Sequence, residues 1–255
     1  MNDLKFNIDE NKCIHCGECV VTCQTGAHKI IDGMHVFDRE QCMACGECAK
    51  KCFGEALTYY GREVSIEELL PLLLEDKDFY DASGGGVTLS GGECLCQADF
   101  CAKLLRALKE NGVNTAIDTC GMVSREALDK VIPFTDNFLY DIKAIDEGVH
   151  VKCTGHSNKL ILENIAYLDS IGKEIEVRIP YVPDYNNDQM EKIAVFLKQL
   201  KNVKKVKVLP YHNYAGSKYK ALGIENILPE RLPTVEEIVE AENYFSVSSS
   251  ISGKK

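Results

Sequence analysis

The chain has 255 residues, 45% of them hydrophobic, enough for one medium core with or without a small extra module. Its 29 basic and 39 acidic side chains leave a net charge of −10, which repels phosphate backbones and argues against nucleic acid as a partner. No apolar run approaches the ~18 residues of a membrane span, and the first residues form no apolar signal segment, so a cytoplasmic protein with no membrane partner is expected.

Leu4, Phe6 and Ile8 alternate with polar residues, which predicts a short strand leading into a cysteine-rich stretch. Cys13, Cys16, Cys19 and Cys23 are spaced C-x2-C-x2-C-x3-C, and Cys42, Cys45, Cys48 and Cys52 repeat that spacing. A [4Fe–4S] cube needs four thiolates at tetrahedral corners. One tight loop can wrap three of them, so the fourth comes from elsewhere. In two-cluster ferredoxins the fourth Cys of each run ligates the other cluster. Cys13, Cys16, Cys19 and Cys52 are therefore assigned to one cube, and Cys42, Cys45, Cys48 and Cys23 to the other. Zinc sites favour paired cysteines, and disulfides need an oxidising compartment that nothing in the sequence suggests. Gln24 and Phe53 stand where the ferredoxin run carries Pro, so neither exit is stiffened by a ring. Bare cubes also point to anaerobic life. This cluster domain is expected to span 1–60. The other five cysteines, Cys94, Cys96, Cys101, Cys120 and Cys153, form no ligand set and read as small buried residues.

Beyond Gly61 the pattern changes to strands alternating with helices, which fits a second domain over 61–255. Ser65 and Glu68 form a capping box ahead of Leu69, Leu70, Leu73 and Leu74, with Pro71 expected to kink that helix. A short buried strand is predicted over 84–89, a helix over 97–111, and a strand over 113–117. Ser124 caps the next helix, and a strand follows over 137–142. A helix over 158–171, a strand over 175–179, a helix over 189–200, a strand over 206–209 and a helix over 234–244 complete the series. Such βα alternation implies parallel strands in an open sheet or a barrel.

In βα barrels chemistry gathers at the C-terminal strand ends. Those ends carry Ser90-Gly91-Gly92-Glu93, Asp118-Thr119-Cys120-Gly121, Asp141-Ile142-Lys143, then Arg178 before Pro180-Tyr181, and Pro210-Tyr211-His212. Singly each is ordinary: a lone Asp is usually a helix cap. Together on one rim they suit a zwitterion. Gly91 and Gly92 permit close approach to the backbone, their carbonyls with Glu93 suit an ammonium, and Lys143 suits a carboxylate.

These motifs, taken with the two cysteine runs, resemble the glycyl-radical enzyme activating enzymes, which are radical S-adenosylmethionine (SAM) proteins related to the activator of pyruvate formate-lyase. The resemblance covers nearly the whole chain. It implies a partial (β/α)6 barrel lacking its first strand, plus the two-cluster ferredoxin-like domain. It implies reductive cleavage of SAM to a 5′-deoxyadenosyl radical that takes hydrogen from a backbone glycine of a partner enzyme. Flavodoxin or ferredoxin would donate the electrons. By resemblance, Gly92 meets the methionyl amino group, and Asp141, Ile142 and Lys143 line the methionyl end. Asp118 and Asp141 help hold a monovalent cation, and Arg178 and His212 complete the pocket. Cys94 stands where the family commonly has Pro.

The family also carries C-x3-C-x2-C after its first barrel strand, to hold a third [4Fe–4S] cluster with one open iron. That spacing is not found in these 255 residues. The expectation is an activating enzyme whose first strand and catalytic loop lie outside this sequence, through a late start or a split gene. The alternative is a non-catalytic iron–sulfur electron carrier. Either way the Val87–Leu89 strand is expected to have an uncovered edge, an aggregation hazard.

Overall fold

The structure is a computed structural model that describes residues 5–214, 216, 219, 225 and 229–246. It comprises two units, Met1–Val64 with Asn213–Leu228, and Ser65–His212 with Pro229–Lys255.

In the first unit β1 (Lys5–Ile8) pairs antiparallel with β4 (Leu57–Tyr60). A second hairpin joins β2 (His28–Ile31) to β3 (Met34–Phe37). Its turn residues Asp32 and Gly33 have φ of 51° and 78°, the left-handed pair that a two-residue hairpin favours. Two short helices, α1 (Glu18–Thr22) and α2 (Glu47–Lys50), each contain the third cysteine of its run, Cys19 and Cys48. The cysteine repeat extends to the backbone. Gly17 and Gly46 cap these helices at φ of 78° and 87°, and His15 and Ala44 match at 54° and 53°. Cys48 and Leu57 centre a small core with Ile8 and Phe37.

The second unit opens as its capping box requires. The Ser65 hydroxyl accepts from the Glu68 N–H at 3.2 Å, and the Glu68 carboxylate accepts from the Ser65 N–H at 2.8 Å. Helix α3 (Ile66–Leu74) continues through Pro71, and α4 (Lys77–Ser83) follows. Five parallel strands then form one sheet in chain order: β5 (Gly86–Leu89), β6 (Asn114–Thr119), β7 (Asn137–Asp141), β8 (Glu174–Tyr181) and β9 (Val203–Pro210). The connecting helices are α5 (Ala98–Glu110), α6 (Arg125–Val131), α7 (Glu147–Thr154), α8 (Lys159–Ser170) and α9 (Met190–Leu197), with α10 (Val235–Ser246) after β9. Helix α7 was not expected from the sequence; Asp146 starts it by accepting from the Val149 N–H at 3.2 Å.

Alternation along the strands separates two faces. Ile117, Phe138, Tyr140, Ile175, Val177 and Ile179 are fully buried in one core with the helices. Asp118, Asp141, Glu176 and Arg178 take the intervening positions on the other face and stay partly exposed. Parallel sheets normally have both faces covered, so a charged second face marks a surface that works on something polar. β5 departs from the expected buried strand: Val87 alone is buried there, and among the described residues the strand pairs only with β6. A Cβ on Gly86 would collide with the Asn114 carbonyl, so this edge keeps its glycine. Among the described residues no helix is long and apolar enough to cross a membrane.

Candidate cluster sites and cofactor site

Two cavities in the first unit gather the eight cysteines. Cys13, Cys16, Cys19 and Cys52 line one, with Ile14, Ile30 and His35 among their neighbours. Cys23, Cys42, Cys45 and Cys48 line the other, with His28 and Met43. Each cavity thus takes three cysteines from one run and the fourth from the other. Burial, with Cys23, Cys42 and Cys45 crowding round it, pushes the Cys48 thiol up to about 11. Burial likewise raises Cys19, helped by Cys13 and Cys16. Burial also acts on Cys23, but the Thr25 hydroxyl and the N–H groups of Thr25, Ala27 and His28 outweigh it and hold that thiol below its usual range. Backbone N–H groups of Ala44 and Ala56 donate to the sulfurs of Cys42 and Cys52 at 3.4 and 3.3 Å. Four thiolates this close repel one another unless metal lies between them, and N–H donors aimed at sulfur suit an anionic cluster. The donor sets fit two iron–sulfur cubes.

The second site is the C-terminal rim of the sheet. Gly91, at φ 150°, and Gly92 have open space where a side chain would stand. The Glu93 carboxylate is committed elsewhere. One oxygen accepts from the Thr119 hydroxyl at 2.8 Å and the Cys120 N–H at 3.0 Å, and the other from the Leu95 N–H at 3.1 Å. Glu93 therefore ties the glycine turn to the end of β6, and the two glycines with their carbonyls remain to meet an ammonium. Replacing Glu93 with Gln puts an amide N–H₂ against one of these donor sets. A loss of about 1–3 kcal/mol is expected in urea unfolding, the typical cost of stranding buried donors; an unchanged midpoint would remove Glu93 from this role.

Arg178 donates to Asp118 at 3.0 Å, and the Ser90 hydroxyl donates to the same oxygen at 3.1 Å. Lys143 reaches Asp141 at 3.1 Å. Strand register sets Asp141 beside Arg178, so the charged groups of three strands meet on one rim. Ile142 differs from expectation: its side chain is buried in the helix-side core, and its N–H donates to the Arg178 carbonyl at 2.9 Å. It can present only backbone to a ligand. His212 lies exposed beyond β9, where the neighbouring Tyr211 N–H donates to the Tyr181 carbonyl at 3.1 Å.

Three buried carboxamides hold the 141–146 loop, and the sequence did not reveal them. Asn186 donates to the carbonyls of Lys143 and Pro180 at 2.8 and 2.7 Å. Asn158 donates to those of Ala144 and Ile145 at 3.0 and 2.8 Å, and Gln189 accepts from the Asp146 N–H at 3.0 Å. Of the remaining cysteines, Cys101 is buried and Cys94 and Cys120 are partly so. Cys96 and Cys153 are exposed, against the expectation of burial.

The chain is similar to known proteins in sequence and in fold. The sequence profile of the Radical SAM superfamily matches residues 23–197, and that of a 4Fe-4S binding domain matches residues 5–28. The chain is 41% identical to the choline trimethylamine-lyase activating enzyme of Oleidesulfovibrio alaskensis, over 85% of this chain and 72% of that one. It is 40% identical to the trans-4-hydroxy-L-proline dehydratase activating enzyme of Clostridioides difficile, over 92% and 82%. A crystallised domain of pyruvate-formate lyase-activating enzyme from Bacteroides vulgatus superposes with a TM-score of 0.54 at 26% identity, covering 64% of this chain and 94% of the domain. The radical SAM profile covers well over half of the chain, and relatives at 40% identity or more are activating enzymes, so the chain belongs to the radical SAM superfamily, among the glycyl-radical enzyme activating enzymes.

Proposed function

We propose that this chain binds SAM on the rim of its sheet and carries electrons to it through two [4Fe–4S] clusters, so that a backbone glycine of a partner enzyme becomes a radical. The observation that supports this most is the convergence on one rim of Gly91–Gly92, Asp118, Asp141–Lys143 and Arg178, from four consecutive parallel strands. Cys13, Cys16, Cys19 and Cys52 would hold one cube and Cys23, Cys42, Cys45 and Cys48 the other. When loaded, the cubes supply single electrons and SAM supplies the radical precursor.

The chain's own residues position and shield. The Gly91 and Gly92 carbonyls accept from the methionyl ammonium. Lys143 turns from Asp141 to the methionyl carboxylate, and the Asp141 carboxylate so released, with Asp118, can hold a monovalent cation. Arg178 and His212 close the far side toward the nucleoside. The buried helix-side core keeps the rim rigid, which holds reacting groups in line. Flavodoxin or ferredoxin is the electron donor in this reading.

The C-x3-C-x2-C run that the reaction needs is not among these residues, so the test has two arms. The chain reconstituted with iron and sulfide is titrated with SAM by calorimetry; it is then supplied with a segment carrying that run and assayed for 5′-deoxyadenosine and a glycyl-radical EPR signal. Binding in the first arm and both products in the second are expected. No affinity for SAM in either arm would overturn the proposal. Binding without cleavage in the second would favour a non-catalytic iron–sulfur partner.

A further inference from the structure

The turn that is to meet the methionyl ammonium has no side chains at Gly91 and Gly92, and Gly91 stands at φ 150°. Glycine leaves a backbone many conformations, so the groups that hold this turn in one shape must lie on either side of it. Glu93 ties its far end to Thr119 and Cys120. The next residue makes a separate attachment. The Cys94 sulfur lies 3.6 Å from the Leu89 carbonyl oxygen and 3.5 Å from that of Asp118. Leu89 ends β5, and its pairing with Ile117 is the last in the β5–β6 register. Asp118 comes one residue later on β6. One side chain therefore returns to the residue from which the turn departs, and reaches the neighbouring strand as well. The Asp118 carboxylate in turn accepts from the Ser90 hydroxyl, inside the same turn.

Cys94 is itself anchored in the core. It opens a short 3-10 turn, Cys94–Gln97, that leads into α5. Its carbonyl accepts from the Cys101 thiol at 3.2 Å. Cys101, on α5, is 4% exposed and belongs to the core against which Cys94 packs. Two thiols thus link that core to the ends of β5 and β6. A half-buried cysteine is often a small apolar filler. Filling space accounts for the packing of Cys94, but not for a sulfur placed against two carbonyl oxygens. An S–H is a weak donor; a valine or alanine there would offer none.

We infer that Cys94 is a positioning residue for SAM: its S–H, shared between the Leu89 and Asp118 carbonyls, fixes the Gly91–Gly92 turn in the shape that receives the methionyl ammonium. The inference rests on the SAM reading above. It adds that affinity depends on a donor at the base of the turn, and not only on the groups of the rim.

A filler and a donor respond oppositely to substitution. The test is calorimetric titration with SAM of the whole reconstituted chain beside Cys94→Ala, Cys94→Val, Cys94→Ser and Cys96→Ala, with iron counted in each. Cys94→Ala and Cys94→Val, which lack the donor, are expected to bind SAM about tenfold more weakly, or about 1.4 kcal/mol. Cys94→Ser keeps a donor and should recover most of the wild-type affinity. Cys96 belongs to the same 3-10 turn but is exposed, so Cys96→Ala should bind as the wild type does. Wild-type affinity in Cys94→Val overturns the inference, because an apolar side chain then suffices. So does a Cys94→Ser variant that binds no better than Cys94→Ala. A wild type that takes up its iron but shows no affinity for SAM overturns the SAM reading itself.

Discussion

Replacing Cys16 and Cys52 together with Ala is expected to leave one [4Fe–4S] cube in place, with iron falling from about eight to about four per chain. Both residues line the same cavity, and the other cavity keeps all of Cys23, Cys42, Cys45 and Cys48. If each cube drew its four ligands from one run, this double variant would remove a ligand from each and lose both. The complementary pair, Cys23→Ala with Cys45→Ala, should likewise leave one cube. A mixed pair, Cys16→Ala with Cys23→Ala, should leave none. Iron and sulfide analysis with EPR of the reduced protein separates these outcomes. The difference, half the metal against none of it, is far outside preparation scatter. Loss of both cubes in the Cys16/Cys52 variant, alongside retention of one in the Cys16/Cys23 variant, would reverse the ligand assignment.

That each cavity gathers three cysteines of one run and the fourth of the other could be reasoned from spacing, because one tight loop reaches only three corners. The five strands were legible for a similar reason. Ile175, Val177 and Ile179 alternate with Glu176 and Arg178, and a period of two has one structural meaning. Features decided by distant partners were not legible. Glu93 reads as a ligand for an ammonium, yet its carboxylate is taken by Thr119 and Cys120, on the next strand. Asn158 and Gln189 read only as first residues of predicted helices, and Asn186 carried no reading, because nothing local distinguishes an exposed carboxamide from one buried against the carbonyls of another loop. Helix α7 has few apolar residues to show a stripe. The β2–β3 hairpin did carry a local signal, Asp32-Gly33 between two β-prone runs, overshadowed by the flanking cysteines. Nothing local in the sequence joins His28 to His35, which only the folded hairpin brings together.

Gly121→Ala is expected to destabilise the second unit on the order of 4 kcal/mol, read as a lower urea midpoint. Three costs contribute. Gly121 has φ 72°, where an L side chain costs roughly 1–2 kcal/mol. Its added Cβ would collide with the hydroxyl and ring of Tyr140, whose ring is fully buried, and overpacking of that kind costs typically ~1–3 kcal/mol. The phenol cannot retreat without loosening its 2.7 Å hydrogen bond to the Ile161 carbonyl, worth about 1 kcal/mol. The backbone cannot retreat freely either, because Asn164 donates to the carbonyls of Gly121 and Val123 at 2.9 and 2.8 Å from a fully buried position. Tyr140→Phe removes the nearest atom of the collision, so the double variant should be less destabilised than the sum of the two singles. Strict additivity would mean that the two residues do not clash, and the close approach would lose its role. The consequence extends to the rim. Cys120, the residue before Gly121, gives its N–H to Glu93, and Glu93 steadies the Gly91–Gly92 turn. A shift of this loop should therefore weaken SAM binding under conditions where the protein is still folded, which ties a packing constraint under the sheet to the ligand site at its edge.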